Sequence, residues 1–170
     1  MTKYFEDFET NLAKMRYEND DNNHILQLNY AYLISCMETY LSHTMWGILD
    51  EYPENYNNLG KGINNSAKLS TIFGLGLPSF IKQELNGLQY HNLAQVKMYY
   101  RHAFEVSFPA NLTNLFQAVN IRHNIIHRCG VSKKGIAVDI DFEKVEELKI
   151  EIQNFLIDID GQLKIKFPQL

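Results

Sequence analysis

Apolar residues recur along most of this chain at spacings of three and four, the period of a helix with one buried face. The strongest run spans residues 24–51. Leu26, Tyr30, Leu33, Met37 and Leu41 form one stripe, and Ala31 and Ile34 widen it, which predicts a helix central to the core. A second long run, residues 142–160, carries Phe142, Val145, Leu148, Ile152, Phe155, Leu156 and Ile159 behind Asp141, a residue type suited to capping a helix start. Residues 91–104, with Leu93, Val96 and Tyr100, and residues 109–128, with Leu112, Leu115, Phe116 and Val119, read as two more helices. Pro109 is expected near the first helical position of the latter.

Weaker patterns fill the rest. Residues 2–18 are polar, with Phe5, Phe8, Leu12 and Met15 at helical spacing, and read as a peripheral helix. The Asn/Asp tract at residues 19–23 breaks it. Pro53 ends the central helix, and residues 52–66, rich in Asn, Tyr and Gly, read as a connecting loop. A short helix is expected at 66–73, stopped by Gly74 and Gly76, and another after Pro78 with Phe80, Ile81 and Leu85. Residues 130–141 read as a turn, within which 136–140 is expected to pair briefly as an extended strand. The expectation is an all-α bundle of four main helices plus short helices. It forms a single domain over residues 1–170, with residues 1–21 peripheral and 22–162 the core.

Composition narrows the class. A hydrophobic fraction of 45% and a charged fraction of 21% suit a globular protein. No apolar run reaches the ~18 residues that span a bilayer, so no membrane partner is expected. Met1–Asp7 shows no apolar signal region. The two cysteines, Cys36 and Cys129, form no CxxC and are too few for a disulfide framework. A cytoplasmic setting follows as the expectation. The net charge of −4 argues against a protein that grips nucleic acid with its whole surface. Yet residues 86–138 hold six cations (Lys97, Arg101, Arg122, Arg128, Lys133 and Lys134) against one acid, Glu105. A local basic region in an acidic protein fits an anionic ligand at one place.

The chemistry concentrates within Ile121-Arg122-His123-Asn124-Ile125-Ile126-His127-Arg128-Cys129-Gly130. An arginine and a histidine stand five apart on the last turns of a helix, with a glycine where a helix stop is expected. Arginine holds a phosphate with a planar fork of donors. Histidine exchanges a proton near neutral pH. Together they can break an RNA strand through its own 2′-hydroxyl. The spacing alone is weak: with four arginines and six histidines, chance gives roughly 0.4 matches per chain. The bland reading makes Arg122 and Arg128 helix-end cations favoured by the dipole, and His127 a polar tip over the core.

The segment from Ala118 to Gly130 resembles the signature of HEPN domains, particularly the RiboL-PSP-type HEPN-like nucleases. Their hallmark is Arg-x(4 to 6)-His on the penultimate long helix, with a polar residue after the arginine. The stretch from Tyr30 to Leu41 resembles that family's first core helix, with its small-residue and glutamate pattern. The resemblance covers about residues 22–162. The common residue after the arginine is Asn or Asp. Here it is His123, with Asn124 next, so either side chain is a candidate to assist Arg122.

The resemblance implies a metal-independent endoribonuclease, needing no cofactor, that works as a homodimer with two Arg/His sets in one cleft. His127 would be general base or general acid, and Arg122 would hold the scissile phosphate. Asn124 would assist; His123, Asn120, Arg128, Lys133 and Lys134 would support RNA binding; Glu38 would face the site. A toxin or antiviral effector restrained by an antitoxin or defence-system partner is the implied setting. The alternative is a non-catalytic HEPN-like module that binds RNA, a nucleotide or a protein. Helical geometry puts Arg122 and His127 about 140° apart on their helix, so one helix does not aim both at one phosphate and the nuclease reading depends on dimerisation. His123 and His127 also have a zinc-compatible i, i+4 spacing, but no HExxH motif or nearby carboxylate completes a metal site.

Overall fold

A computed structural model describes residues 1–16, 22–62 and 76–170 of the chain. Seven helices are found among the described residues: α1 (Lys3–Leu12), α2 (Asn23–Glu51), α3 (Asn55–Gly62), α4 (Leu77–Asn86), α5 (Leu93–Phe104), α6 (Thr113–His127) and α7 (Phe142–Lys166). Extended pairing among them is limited to an isolated antiparallel bridge between Val131 and Ala137, so the fold is all-α, with the four main expected helices appearing as α2, α5, α6 and α7. None of the described helices is long and apolar enough to cross a membrane.

The helix α2 is the axis of the bundle. Its buried residues include Leu33, Ile34, Met37, Leu41, Met45, Ile48 and Leu49. That breadth exceeds a single stripe, because α2 packs against α1, α6 and α7 at once. The Tyr100 hydroxyl of α5, fully buried, donates to the Leu41 carbonyl of α2 at 2.7 Å. A smaller group forms where α3 packs on α4 and α5.

Several expectations shift. The first helix is not peripheral: Phe5 and Phe8 are buried and meet the Tyr40 ring of α2 edge-on, both with centroids 6.3 Å away. Its end is pinned by Asp160 of α7, which accepts from the Thr2 amide at 2.9 Å, from the Thr2 hydroxyl, and from the Tyr40 hydroxyl at 2.9 Å. A buried carboxylate satisfied by three donors from two other elements ties α1, α2 and α7 together. The helix ends at Leu12, short of the expected residue 18.

The connection after Pro53 is not a plain loop. It contains α3, although Asn and Gly are poor helix formers. Tyr56 and Leu59, three apart, are buried, and that anchorage outweighs intrinsic preference. The short helix expected at 66–73 lies outside the described residues. The helix α6 begins at Thr113, whose amide donates to Asn111 Oδ1 at 3.0 Å, so Pro109 precedes it by a full turn instead of opening it. The helix α7 starts as expected, with Asp141 Oδ1 accepting from the Lys144 amide at 2.8 Å, and runs on to Lys166 because Leu163 is still fully buried.

Candidate functional site

The end of α6 is built by its own carbonyls. Asn124 O accepts from the Arg128 amide and the Gly130 amide, both at 3.1 Å. The chain reverses through left-handed residues, Cys129 at φ 52° and Gly130 at φ 77°. Beyond it the backbone folds into a tight ribbon. Val138 N donates to Gly130 O at 2.7 Å and Ser132 N to Ile136 O at 2.8 Å. The first turns of α2 hold this ribbon: Gln27 Nε2 donates to Val138 O at 2.6 Å, and Asn23 Oδ1 accepts from the Ile140 amide at 3.0 Å. Asn23 and Gln27 therefore set the position of the basic turn. Sequence reasoning missed both in that role, because a polar residue on a helix carries no mark of a partner more than a hundred positions away.

Between α6 and this turn lies a groove of about 520 Å³ lined by Asn120, His123, Asn124, Arg128, Ser132, Lys133 and Lys134. No carboxylate lines it. The Arg128 guanidinium is held in place by Asn124, whose Oδ1 accepts from Nη1 at 2.9 Å. Five of the expected supporting residues, together with Asn124, thus come together in one place. Ser132 is an addition; its signal was its place in the basic turn.

Arg122 and His127 are not among the lining residues. The buried positions of α6 are Leu115, Ala118 and Ile125; of the expected stripe, Leu112 and Leu115 are buried and Val119 packs partly buried against the core, while Phe116 does not. Phe116 is 41% exposed. Arg122, four after Ala118 and three before Ile125, falls on the buried side. It is half-buried, and its Nε is buried without a hydrogen-bond partner. His127 lies on the opposite, exposed side. The two imidazoles His123 and His127 do meet: their ring centroids are 4.6 Å apart, tilted by 49°. His123 is thus the link between His127 and the cationic groove.

The electrostatics favour a neutral His123. Loss of part of its water shell, and then the charges of Arg128, His127, Lys133 and Arg122, hold its pKa below the ordinary imidazole value. A neutral imidazole beside fixed cations can accept a proton while the cations hold an anion.

Glu38 stands apart from all of this. Its Oε1 is 3.2 Å from His91 Nδ1. It lines a separate concavity of about 410 Å³ with Ser35, Thr39, Ser42, His43 and Tyr90, which shares no residue with the groove on α6. The direction the resemblance implies for Glu38, toward the Arg/His site, is not the one observed. Among the described residues no cluster of three or more His, Cys, Asp or Glu is placed to hold a metal ion.

Compared with known proteins, the chain matches no family model, no curated protein and no solved structure.

Proposed function

We propose that this protein is an endoribonuclease of the HEPN type, cleaving RNA through attack of its 2′-hydroxyl. The observation that carries the reading is the His123–His127 pair, with ring centroids 4.6 Å apart, at the edge of a groove lined by Arg128, Lys133 and Lys134 and free of carboxylates. Proton-transfer groups and fixed cations are what cleavage by the internal nucleophile needs. His127 moves the proton, to or from the ribose 2′-oxygen or the leaving 5′-oxygen. The cationic groove holds the strand. Arg122, carried over from the motif as the group that neutralises the scissile phosphate, stands half-buried on the side of α6 away from His127. One chain's Arg122 and His127 diverge, so the working unit in this reading is a homodimer closed through α6, the commonest symmetry for an oligomer. The reaction leaves a 2′,3′-cyclic phosphate and a 5′-hydroxyl, takes no metal, and spares DNA, which lacks the nucleophile.

The test is RNA cleavage in the presence of EDTA by wild type, Arg122→Ala and His127→Ala, with folding checked by circular dichroism. Cleavage by wild type alone is expected. Unchanged cleavage in His127→Ala would reject the assignment. A free ribonuclease of this kind harms its own cell, so an antitoxin or defence-system partner belongs to the reading, and expression in a bacterial host should slow growth in a His127-dependent way. The second reading, a non-catalytic module for RNA, a nucleotide or a partner protein, is favoured by the burial of Arg122 Nε. It predicts binding without cleavage and no growth defect.

A further inference from the structure

We infer that the groove between α6 and the basic turn is a phosphate subsite separate from the scissile position, in which Arg128, Lys133 and Lys134 hold a neighbouring phosphate of the same nucleic-acid strand. The inference rests on the nuclease reading for its substrate and on independent geometry for its place. Arg128 is four residues beyond Asn124, and the Asn124 Oδ1 to Nη1 bond at 2.9 Å fixes one edge of the guanidinium. The remaining donors of the fork are left for a ligand. A fork held before binding loses less freedom when an anion arrives.

The turn opposite is equally fixed. Ser132 N donates to Ile136 O at 2.8 Å, Ser132 Oγ accepts from the Ile136 amide at 3.1 Å, and Gly135 takes the left-handed conformation at φ 77°. Lys133 and Lys134 are therefore carried on a rigid ribbon, itself bound to α2 through Gln27 and Asn23. Three cations line one wall system with no carboxylate among them, an arrangement that repels itself until an anion is present. His123 lines the same groove and its ring meets His127, so a strand phosphate in the groove lies one imidazole away from the proton-transfer group. Arg122 and His127 do not line it, so the groove is not the scissile position. Substrates long enough to fill both places should be preferred over a dinucleotide, which has a single phosphate.

Two measurements decide it. In the first, cleavage of a ten-nucleotide RNA and of a dinucleotide is followed for wild type, Arg128→Gln and the double variant Lys133→Gln/Lys134→Gln. The expected result is a KM for the longer RNA raised about tenfold, with a distinctly smaller effect on the dinucleotide, so that the preference for the longer substrate falls. In the second, binding of a non-cleavable ten-nucleotide DNA to His127→Ala protein is measured against salt. Removing Arg128 should weaken binding and lower the salt slope by about one. Cleavage that is identical in all variants, or DNA binding indifferent to Arg128→Gln, overturns the subsite. DNA binding that depends on Arg128 in a protein that cleaves no RNA upholds the subsite and rejects the nuclease reading, so the two stand or fall separately. The Lys133/Lys134 variant, placed on an exposed turn, keeps the test decisive should Arg128→Gln disturb the end of α6.

Discussion

Gly130 rests directly against Gln27: a Cβ at Gly130 would stand 2.9 Å from Gln27 Oε1 and 3.1 Å from Nε2. Gln27 has little room to withdraw, because its Nε2 holds the Val138 carbonyl at 2.6 Å. The contact seats the end of α6 and the basic turn on α2, and it makes Gly130→Ala a sharp probe. Left-handed backbone costs an L-residue about 1–2 kcal/mol, and displacing Gln27 from its carbonyl adds about 1 kcal/mol. Gly135 has the same φ of 77° but meets nothing within 4 Å, so Gly135→Ala should lose only the backbone contribution. Urea midpoints at unchanged slope measure both. Equal losses would show that Gln27 yields freely.

The three-way junction at Asp160 sets the second prediction. Asp160→Ala strands the buried donors of Thr2 and Tyr40 and should cost about 3 kcal/mol. Tyr40→Phe removes one donor and should cost about 1 kcal/mol. Equilibrium unfolding of the two single variants and the double variant should show strong non-additivity, because they share one network.

Alkaline pH should loosen the fold through its tyrosines. Burial, and secondarily Glu151, pushes Tyr30 up to about 12. Burial likewise pushes Tyr90 up to about 12, helped by Tyr99 and opposed by Ser42. Burial raises Tyr40 and Tyr100 further. A group whose folded pKa lies above its unfolded value of about 10 stabilises fully below that value and loses its contribution as pH rises toward the folded pKa. Denaturant midpoints should therefore fall between pH 10 and 12, and Tyr90→Phe should flatten that fall. A midpoint independent of pH across this window would contradict the burial of these hydroxyls.

The imidazole of His123 should titrate below the ordinary value of about 6.5, since partial desolvation and the charges of Arg128, His127, Lys133 and Arg122 all favour its neutral form. Arg128→Gln and Lys133→Gln should each raise its pKa. Proton NMR titration of the ring signals reads this directly. A His123 pKa that is unmoved in both variants would mean these cations do not face it.

The outer side of α6 is the predicted dimer seam of the proposed function. Phe116, His123, Ile126 and His127 span about 100° of the helix circumference, and Phe116 and Ile126 are 41% and 47% exposed. Phe116→Glu/Ile126→Glu should convert a dimer to a monomer in sedimentation at micromolar concentration. Its helical content should not change, because neither side chain is buried in the chain itself. A wild-type monomer under the same conditions would remove the basis for a shared cleft.

Local pattern alone determined a good deal of this protein. The wide apolar stripe of residues 24–51 became a helix within one residue of the expected bounds, and the Asp141-capped run started where expected, though it continued six residues past residue 160, because helical periodicity and side-chain capping act between near neighbours. The cluster of Asn120, His123, Asn124, Arg128, Lys133 and Lys134 was likewise legible, since one helix end and the turn after it place residues close in sequence close in space. Only the tertiary structure decided which side of α6 faces inward. Phe116 and Ile126 are apolar yet exposed, while Arg122 shares the side of Ala118 and Ile125, because α2 and α7 approach that side and no local rule encodes their approach. The same holds for the burial of α1 against Tyr40, for the helix of Asn and Gly anchored by Tyr56 and Leu59, and for Glu38, which pairs with His91 from the connection between α4 and α5. In each case a contact distant in sequence outweighed the local preference, and the energy of that contact exists only once the chain has folded.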